Sequence, residues 1–150
     1  GQGASARYPY LMALRIPAHL VAALWEHAER EHPIEACGVI AGTLADRMPT
    51  RHIPMENSAY SPTFYEFESK ALLHLYKELD DRDEALVVIY HSHTSTEAYP
   101  SRTDIAYAGE PDAHYVLMST REEIASRSEF RSFRIIDGVV TEEPVEIAGD

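Results

Sequence analysis

Apolar residues recur along the chain in two rhythms, one helical and one alternating, and together they divide it into helices and strands. Leu20, Val21, Leu24, Trp25 and Ala28 fall at helical spacing; Pro17 suits the first turn of that helix and Pro33 forbids its continuation. Cys37 to Ala41 is a short apolar run closed by Gly42 and predicts a strand. Arg51 to Met55 predicts another, which Pro49 and Pro54 assign to a sheet edge. Phe64 to Phe67 reads as extended, and Ser69 suits the N-cap of a helix burying Leu72, Leu73, Tyr76 and Leu79. Asp80 to Glu84 is a charged, solvated connection.

The second half repeats the alternation. Ala85-Leu86-Val87-Val88-Ile89-Tyr90 is an almost unbroken apolar run, the mark of a strand buried on both faces. A short helix from Arg102 to about Ala108 follows, then a buried strand from Ala113 to Ser119. Phe130 to Ile136 and Val139 to Ile147 flank Asp137-Gly138, the dipeptide of two-residue hairpin turns, and predict a C-terminal antiparallel pair. The pattern is that of an α/β protein with a mixed sheet packed by helices.

Composition narrows this further. With 150 residues, 45% of them hydrophobic, the chain has enough apolar surface for one well-cored domain and is short for two. Residues 1–7 are mostly small and polar and read as an appended or disordered lead-in, leaving 8–150 as the domain. The 25 acids against 13 bases give a formal charge of -12, which repels phosphate backbones and anionic lipid and excludes nucleic acid and membrane as expected partners. The apolar N-terminal region is broken by Arg15, Pro17 and His19, too soon for a spanning helix. The single cysteine cannot form an internal disulfide and suits a reducing compartment, so the expected location is the cytoplasm.

The chemistry concentrates at the end of the apolar run. His91 and His93 alternate with Ser92, so on a strand both imidazoles project to one side and can share a metal ion. After seven intervening residues Ser101 can cap the next helix, and Asp104 returns a carboxylate as third ligand. Three protein ligands leave one position of a tetrahedral zinc for water, the arrangement of a catalytic rather than a structural site. The expected cofactor is one Zn²⁺ per chain, held by His91, His93 and Asp104.

This pattern resembles the JAMM motif of the zinc-dependent MPN-domain metallopeptidases: an upstream Glu, then His-Ser/Thr-His, seven residues, Ser, two residues and Asp. The resemblance covers nearly the whole chain. It implies a single MPN/JAMM domain with a cytidine-deaminase-like three-layer fold, a curved mixed sheet flanked by helices. It also implies that Glu35, in Pro33-Ile34-Glu35-Ala36-Cys37-Gly38-Val39, is the catalytic acid. Within the family, Tyr90 to Thr94, Glu97 to Asp104 and Glu110 to Leu117 look most like the bacterial hydrolases that free cysteine from the C-terminus of a ubiquitin-like sulfur carrier. Only 20 residues, none of them Cys or His, separate His93 from His114, so the zinc-bearing insertion of some polyubiquitin-specific relatives is absent. The partner implied is a ubiquitin-like or sulfur-carrier protein with a glycine-rich C-terminus, with isopeptide-linked small modifiers as the second choice.

Roles follow from the chemistry. Glu35 would take a proton from the attacking water and return it to the departing amine. The Ser101 hydroxyl would donate to the developing oxyanion; as a nucleophile it would need a base, and the nearby histidines are already ligands. Cys37, two residues beyond Glu35, is either a small buried hydrophobe or a group beside the metal, and the packing habit of free cysteine favours the first. His114 is either a satisfied structural histidine or one that orients a site group, with the first favoured. His19, His27, His32, His52 and His74 lack metal spacing and are expected on surfaces or helix faces. Asn57 to Phe64 offers amide, hydroxyl and aromatic groups, either to hold a substrate tail or simply to connect two elements. Two other classes remain. A non-catalytic scaffold of the same fold would be expected to lack part of the motif, and a nucleobase deaminase would need a Cys-x-x-Cys that a chain with only Cys37 does not have.

Overall fold

A computed structural model describes residues 13–150, so the expectations for residues 1–7 and for the start of the domain lie outside the described residues. The elements are β1 (Leu14–Pro17), α1 (Ala18–Glu31), β2 (Cys37–Thr43), β3 (Pro49–Met55), α2 (Ser69–Asp81), β4 (Glu84–His93), α3 (Arg102–Tyr107), β5 (His114–Ser119), β6 (Phe130–Ile136), β7 (Val139–Glu143) and β8 (Val145–Ala148). Strands β3-β2-β4-β5-β6-β7 form a six-stranded sheet in which only β4 and β5 run parallel; β1 and β8 pair separately.

The mixed sheet is covered on both faces, as a three-layer fold requires. On one side Leu20, Leu24, Trp25 and Ala28 of α1 bury against Ile40, Val88, Tyr90, Val116 and Met118. On the other, Leu75 and Leu79 of α2 pack with Val39, Ala41, Ile89, Tyr115, Leu117 and Phe133. Strand β4 feeds both cores. Its pairing with β2 slips between Ile40↔Val88 and Ala41↔Leu86, leaving Val87 as a bulge. Because of that extra residue Val87 and Val88 both serve the α1 core. Past the bulge, Ile89, His91 and His93 share the α2 face.

Several boundaries differ from the sequence pattern for identifiable reasons. Pro17 closes β1 and is the N-cap of α1, which starts at Ala18. In α2 the cap is Glu68, whose carboxylate accepts from the Ala71 N–H at 2.8 Å, not Ser69. This helix carries more apolar residues than one stripe can bury. Leu75 and Leu79 go inward, while Leu73 stays 72% exposed and Tyr76 is 41% exposed. Residues 64–67 join no ladder. The predicted strand from Val139 to Ile147 is two strands, because Pro144 has no N–H to continue the ladder with β6. Beyond it β8 turns to pair with β1, a strand too short for its alternation to stand out. At the hairpin, Asp137 and Gly138 both take positive φ, 51° and 77°, as a type I′ turn demands.

Gly38 marks a close approach of β2 to both of its neighbours: a Cβ there would lie 2.6 Å from the Tyr90 hydroxyl and 2.8 Å from the Ile53 carbonyl oxygen. The carbonyl belongs to backbone and cannot swing aside. Gly38→Ala is therefore expected to destabilise the protein by about 1–3 kcal/mol, read as a lowered denaturant midpoint; an unchanged midpoint would contradict this packing.

Candidate metal centre and catalytic acid

The three expected ligands converge. Strand β4 ends with His91 and His93 on one face, and the N-terminus of α3 brings Asp104 over them. His91 Nε2, His93 Nε2 and Asp104 Oδ2 form a nearly equilateral triangle with edges of 3.2, 3.1 and 3.1 Å. Both histidines are buried, at 2% and 5% exposure. Tetrahedral zinc with bonds of 2.0–2.2 Å has ligand-to-ligand edges of about 3.3 Å, so the spacing fits that ion. The donor chemistry fits as well. His93 Nδ1 lies 2.8 Å from the Glu97 carbonyl oxygen, which can only accept, so the ring proton sits on Nδ1 and Nε2 presents a lone pair. Thr96 Oγ1 adds a 3.1 Å contact to the same nitrogen. Among the described residues, His91, His93 and Asp104 are the one group of this kind within metal-binding reach of one another.

Local structure explains the precision. Ser101 caps α3: its Oγ accepts from the Asp104 N–H at 3.0 Å, and Asp104 Oδ2 accepts the Ser101 N–H at 2.8 Å. The Asp104 carboxylate is thus aimed at the histidines by the cap. The Ser101 hydroxyl proton is used by neither bond and the residue is solvent-exposed, so it can still donate outward. Burial disfavours charge on Asp104, but both imidazoles and the Ser101 N–H outweigh it and hold the carboxyl well below the usual range. Burial lowers the pKa of His91; in His93 it is overcome by Asp104 and the Glu97 carbonyl, and the pKa rises.

Glu35 lies just before β2 and is 3% exposed. Its backbone is fixed by Glu35 N–H to Ser61 O at 3.0 Å, and the next residue is bound reciprocally to Ser92: Ala36 N–H to Ser92 Oγ at 2.8 Å, Ser92 N–H to Ala36 O at 3.0 Å. Ser92, pointing away from the imidazoles, therefore ties the acid to the histidine strand. Glu35 Oε1 has no hydrogen-bond partner, and burial pushes the carboxyl up to about 8, with His93 opposing and Asp104 adding to the rise. The Glu35 carboxyl thus combines a buried oxygen without a hydrogen-bond partner with electrostatic coupling to His93 and Asp104.

The remaining candidates separate cleanly. Cys37 sits opposite His91 across the β2–β4 ladder, but its Sγ faces the Met55 carbonyl at 3.9 Å, and burial pushes the thiol up to about 12; it packs as a hydrophobe. His114 Nδ1 bonds Glu143 Oε2 at 2.6 Å, next to Val88 in the ladder rather than beside the imidazoles, and is structural. His19, His32 and His74 contact Asp150, Thr120 and Glu78. His27 and His52 depart from the expected surface placement. They share the buried Tyr90 hydroxyl at 2.6 and 2.7 Å, a polar knot between α1, β4 and β3. Tyr65 also escaped the sequence pattern; its ring lies over His91 with centroids 4.5 Å apart. A cavity of about 430 Å³ opens beside Asp104, walled by Phe64, Tyr65, Phe67, Tyr76 and Tyr107.

The family profile described as prokaryotic homologs of the JAB domain matches residues 17–136. The chain belongs to that family. This JAB-family chain is 56% identical over 138 residues to the CysO-cysteine peptidase of Mycobacterium tuberculosis, covering 92% of each. It is 32% identical over 95 residues to the desampylase of Haloferax volcanii, covering 63% of this chain and 68% of that one. The solution structure of DSY2949 from Desulfitobacterium hafniense superposes with a TM-score of 0.79 at 26% identity, covering 93% of this chain and 94% of that one.

The raised Glu35 pKa has a sign that can be measured. Below the ordinary carboxylate range both folded and unfolded forms hold the proton and burial carries no charge penalty. As pH climbs from there through about 8, the unfolded form ionises freely while the metal-free folded form resists, and stability falls. Glu35→Gln removes this term, so in chelator its thermal midpoint should exceed the wild type's more at pH 8 than at pH 5. Parallel pH curves for the two proteins would contradict the burial of this carboxylate.

Proposed function

We propose that the chain is a zinc-dependent hydrolase that cleaves after the C-terminal glycine of a ubiquitin-like sulfur-carrier protein and frees cysteine. The observation that carries this reading is the buried triangle of His91, His93 and Asp104 with the unpartnered Glu35 carboxylate coupled to it. The 56% identity to a CysO-cysteine peptidase supports the choice of substrate. Zinc held by the trio would polarise the scissile carbonyl and acidify the attacking water.

The chain's own residues supply the rest. Glu35, in its ionised form and with no other partner for Oε1, accepts the water's proton and passes it to the leaving amine nitrogen. The Ser101 hydroxyl donates to the carbonyl oxygen as negative charge develops there, and the capping bonds on either side of it keep that hydroxyl in place. The Glu97 carbonyl keeps His93 in the tautomer a ligand needs. The cavity beside Asp104, with Phe64, Tyr65, Phe67, Tyr76 and Tyr107 on its walls, is where an extended tail would lie.

The identity to a desampylase supports a second reading, an isopeptidase for small protein modifiers, with the same site and a lysine amine as leaving group. A non-catalytic scaffold is disfavoured by a motif with no member missing, and a deaminase by the lack of a second cysteine. Among the described residues no helix is long and apolar enough to cross a membrane. The single cysteine, buried and free, suits a reducing compartment, and on that ground we place the protein's work in the cytoplasm.

Incubating the protein with a ubiquitin-like carrier that ends in Gly-Cys should yield carrier one cysteine lighter by mass spectrometry, and chelator should stop it. Glu35→Gln should keep one metal per chain and lose about 10²–10⁴-fold in rate, whereas Asp104→Ala should lose the metal. Full turnover by metal-free protein would refute the proposal, and hydrolysis of a lysine-linked conjugate but not of the Gly-Cys carrier would transfer it to the second reading.

A further inference from the structure

Asn57 follows β3 and is 8% exposed, and its side-chain amide is used to capacity inside the protein. Nδ2 donates toward the Glu35 carbonyl at 3.1 Å, the Phe64 carbonyl at 3.0 Å and, more distantly, the Ser61 carbonyl at 3.5 Å. Oδ1 accepts from the N–H groups of Ala59 at 3.0 Å and Glu66 at 3.2 Å. Three carbonyls on one side and two N–H groups on the other fix which end is nitrogen. The Asn57 amide is therefore spent inside the protein and is not free to hold a substrate tail.

The loop it gathers is fastened to the site at three further points. Ser61 O accepts the Glu35 N–H, Thr94, next to His93, donates its hydroxyl to Pro62 O at 2.8 Å, and Tyr65 lies over His91. Residues 57–66 thus arch from the acid to the end of the histidine strand, carrying outward the exposed Tyr60 and Phe64. Without Asn57, the Glu35 carbonyl loses the bond that sets it against this arch, and the arch loses its central tie. Buried backbone groups left without partners move to find them.

We propose that Asn57 is a positioning residue: its amide clamps the Glu35 backbone to the 57–66 arch, so that the proton-carrying carboxylate and the loop flanking the metal ligands stand as one rigid unit. This rests on Glu35 being the proton carrier. A displacement of about 1 Å at such a group is worth roughly 10²-fold in rate. Zinc binding depends on His91, His93 and Asp104, none of which Asn57 touches, and should be untouched.

Two variants of the zinc-loaded protein divide the amide. Asn57→Ala removes both halves; Asn57→Asp keeps the acceptor for Ala59 and Glu66 but turns an oxygen toward the Glu35 and Phe64 carbonyls. With a Gly-Cys carrier, both should lose about 10- to 100-fold in kcat with KM changed less than about threefold and metal content unchanged. Added to Glu35→Gln, Asn57→Ala should slow the residual rate no further, which a general loss of stability would not reproduce. Hydrogen exchange at Ala59 and Glu66 should quicken in Asn57→Ala and stay slow in Asn57→Asp, while exchange at Glu35 quickens in both. If Asn57→Ala does not fold, Asn57→Asp decides alone. Wild-type kcat in both variants, or a loss that tracks metal content, overturns the positioning role while Glu35→Gln remains inactive. An active Glu35→Gln overturns the role of Glu35 and this inference with it.

Discussion

Three lone-pair atoms held about 3 Å apart in a buried place are the constraint around which the rest of this structure is arranged. With no cation between them, His91 Nε2, His93 Nε2 and Asp104 Oδ2 must share too few protons, and burial denies them water. A divalent ion satisfies all three at once. The Glu97 carbonyl sharpens this by holding the His93 proton on the far side of the ring. An ion that bound the folded chain and not the unfolded one would stabilise by mass action, so metal binding at this group would enter the energetics of the fold as well as any chemistry there.

The sheet delivers that convergence through irregular features rather than regular ones. Without the Val87 bulge, the pleat would put His91 and His93 on the α1 face with Tyr90's neighbours, and Asp104 could not meet them. Gly38 lets the Tyr90 ring press against β2, so the strand that leads from Glu35 lies flush against the strand that carries the histidines. Ser92, facing away from the imidazoles, uses its hydroxyl to close the same junction. The acid and the ligands come from distant parts of the chain, and short backbone-level bonds hold them together.

What could be read from the sequence was what repeats or what lies close together. His91, His93, Ser101 and Asp104 occupy one strand end and the next helix start, so alternation and capping rules suffice to assemble them. Helix α1, the long apolar strand and the Asp-Gly hairpin announce themselves by period and turn chemistry. Glu35 has no such local signal; only the family pattern singles it out among 25 acids. The bulge at Val87 was hidden because an unbroken apolar run has no polar residue to mark a change of face. The β1–β8 pair depends on contacts between the two ends of the described chain, which no window can sense. Tyr65 and Asn57 lie in a segment without periodicity, where the folded partners alone reveal what each side chain does.

Helix α3 shows how closely stability and chemistry are joined here. It has six residues and buries none of them fully, so its length gives it little stability and its packing rests on the partly buried Ile105. Its capping box ties down the first turn, and one member of the box is the Asp104 carboxylate, whose Oδ2 serves the Ser101 N–H and both imidazoles together. A cation drawing on that oxygen would leave the N–H bond in place, because a carboxylate oxygen has lone pairs for both. The helix start and the metal centre therefore reinforce each other: the cap aims Asp104 at the histidines, and whatever holds Asp104 there also holds the Ser101 hydroxyl at the edge of the site.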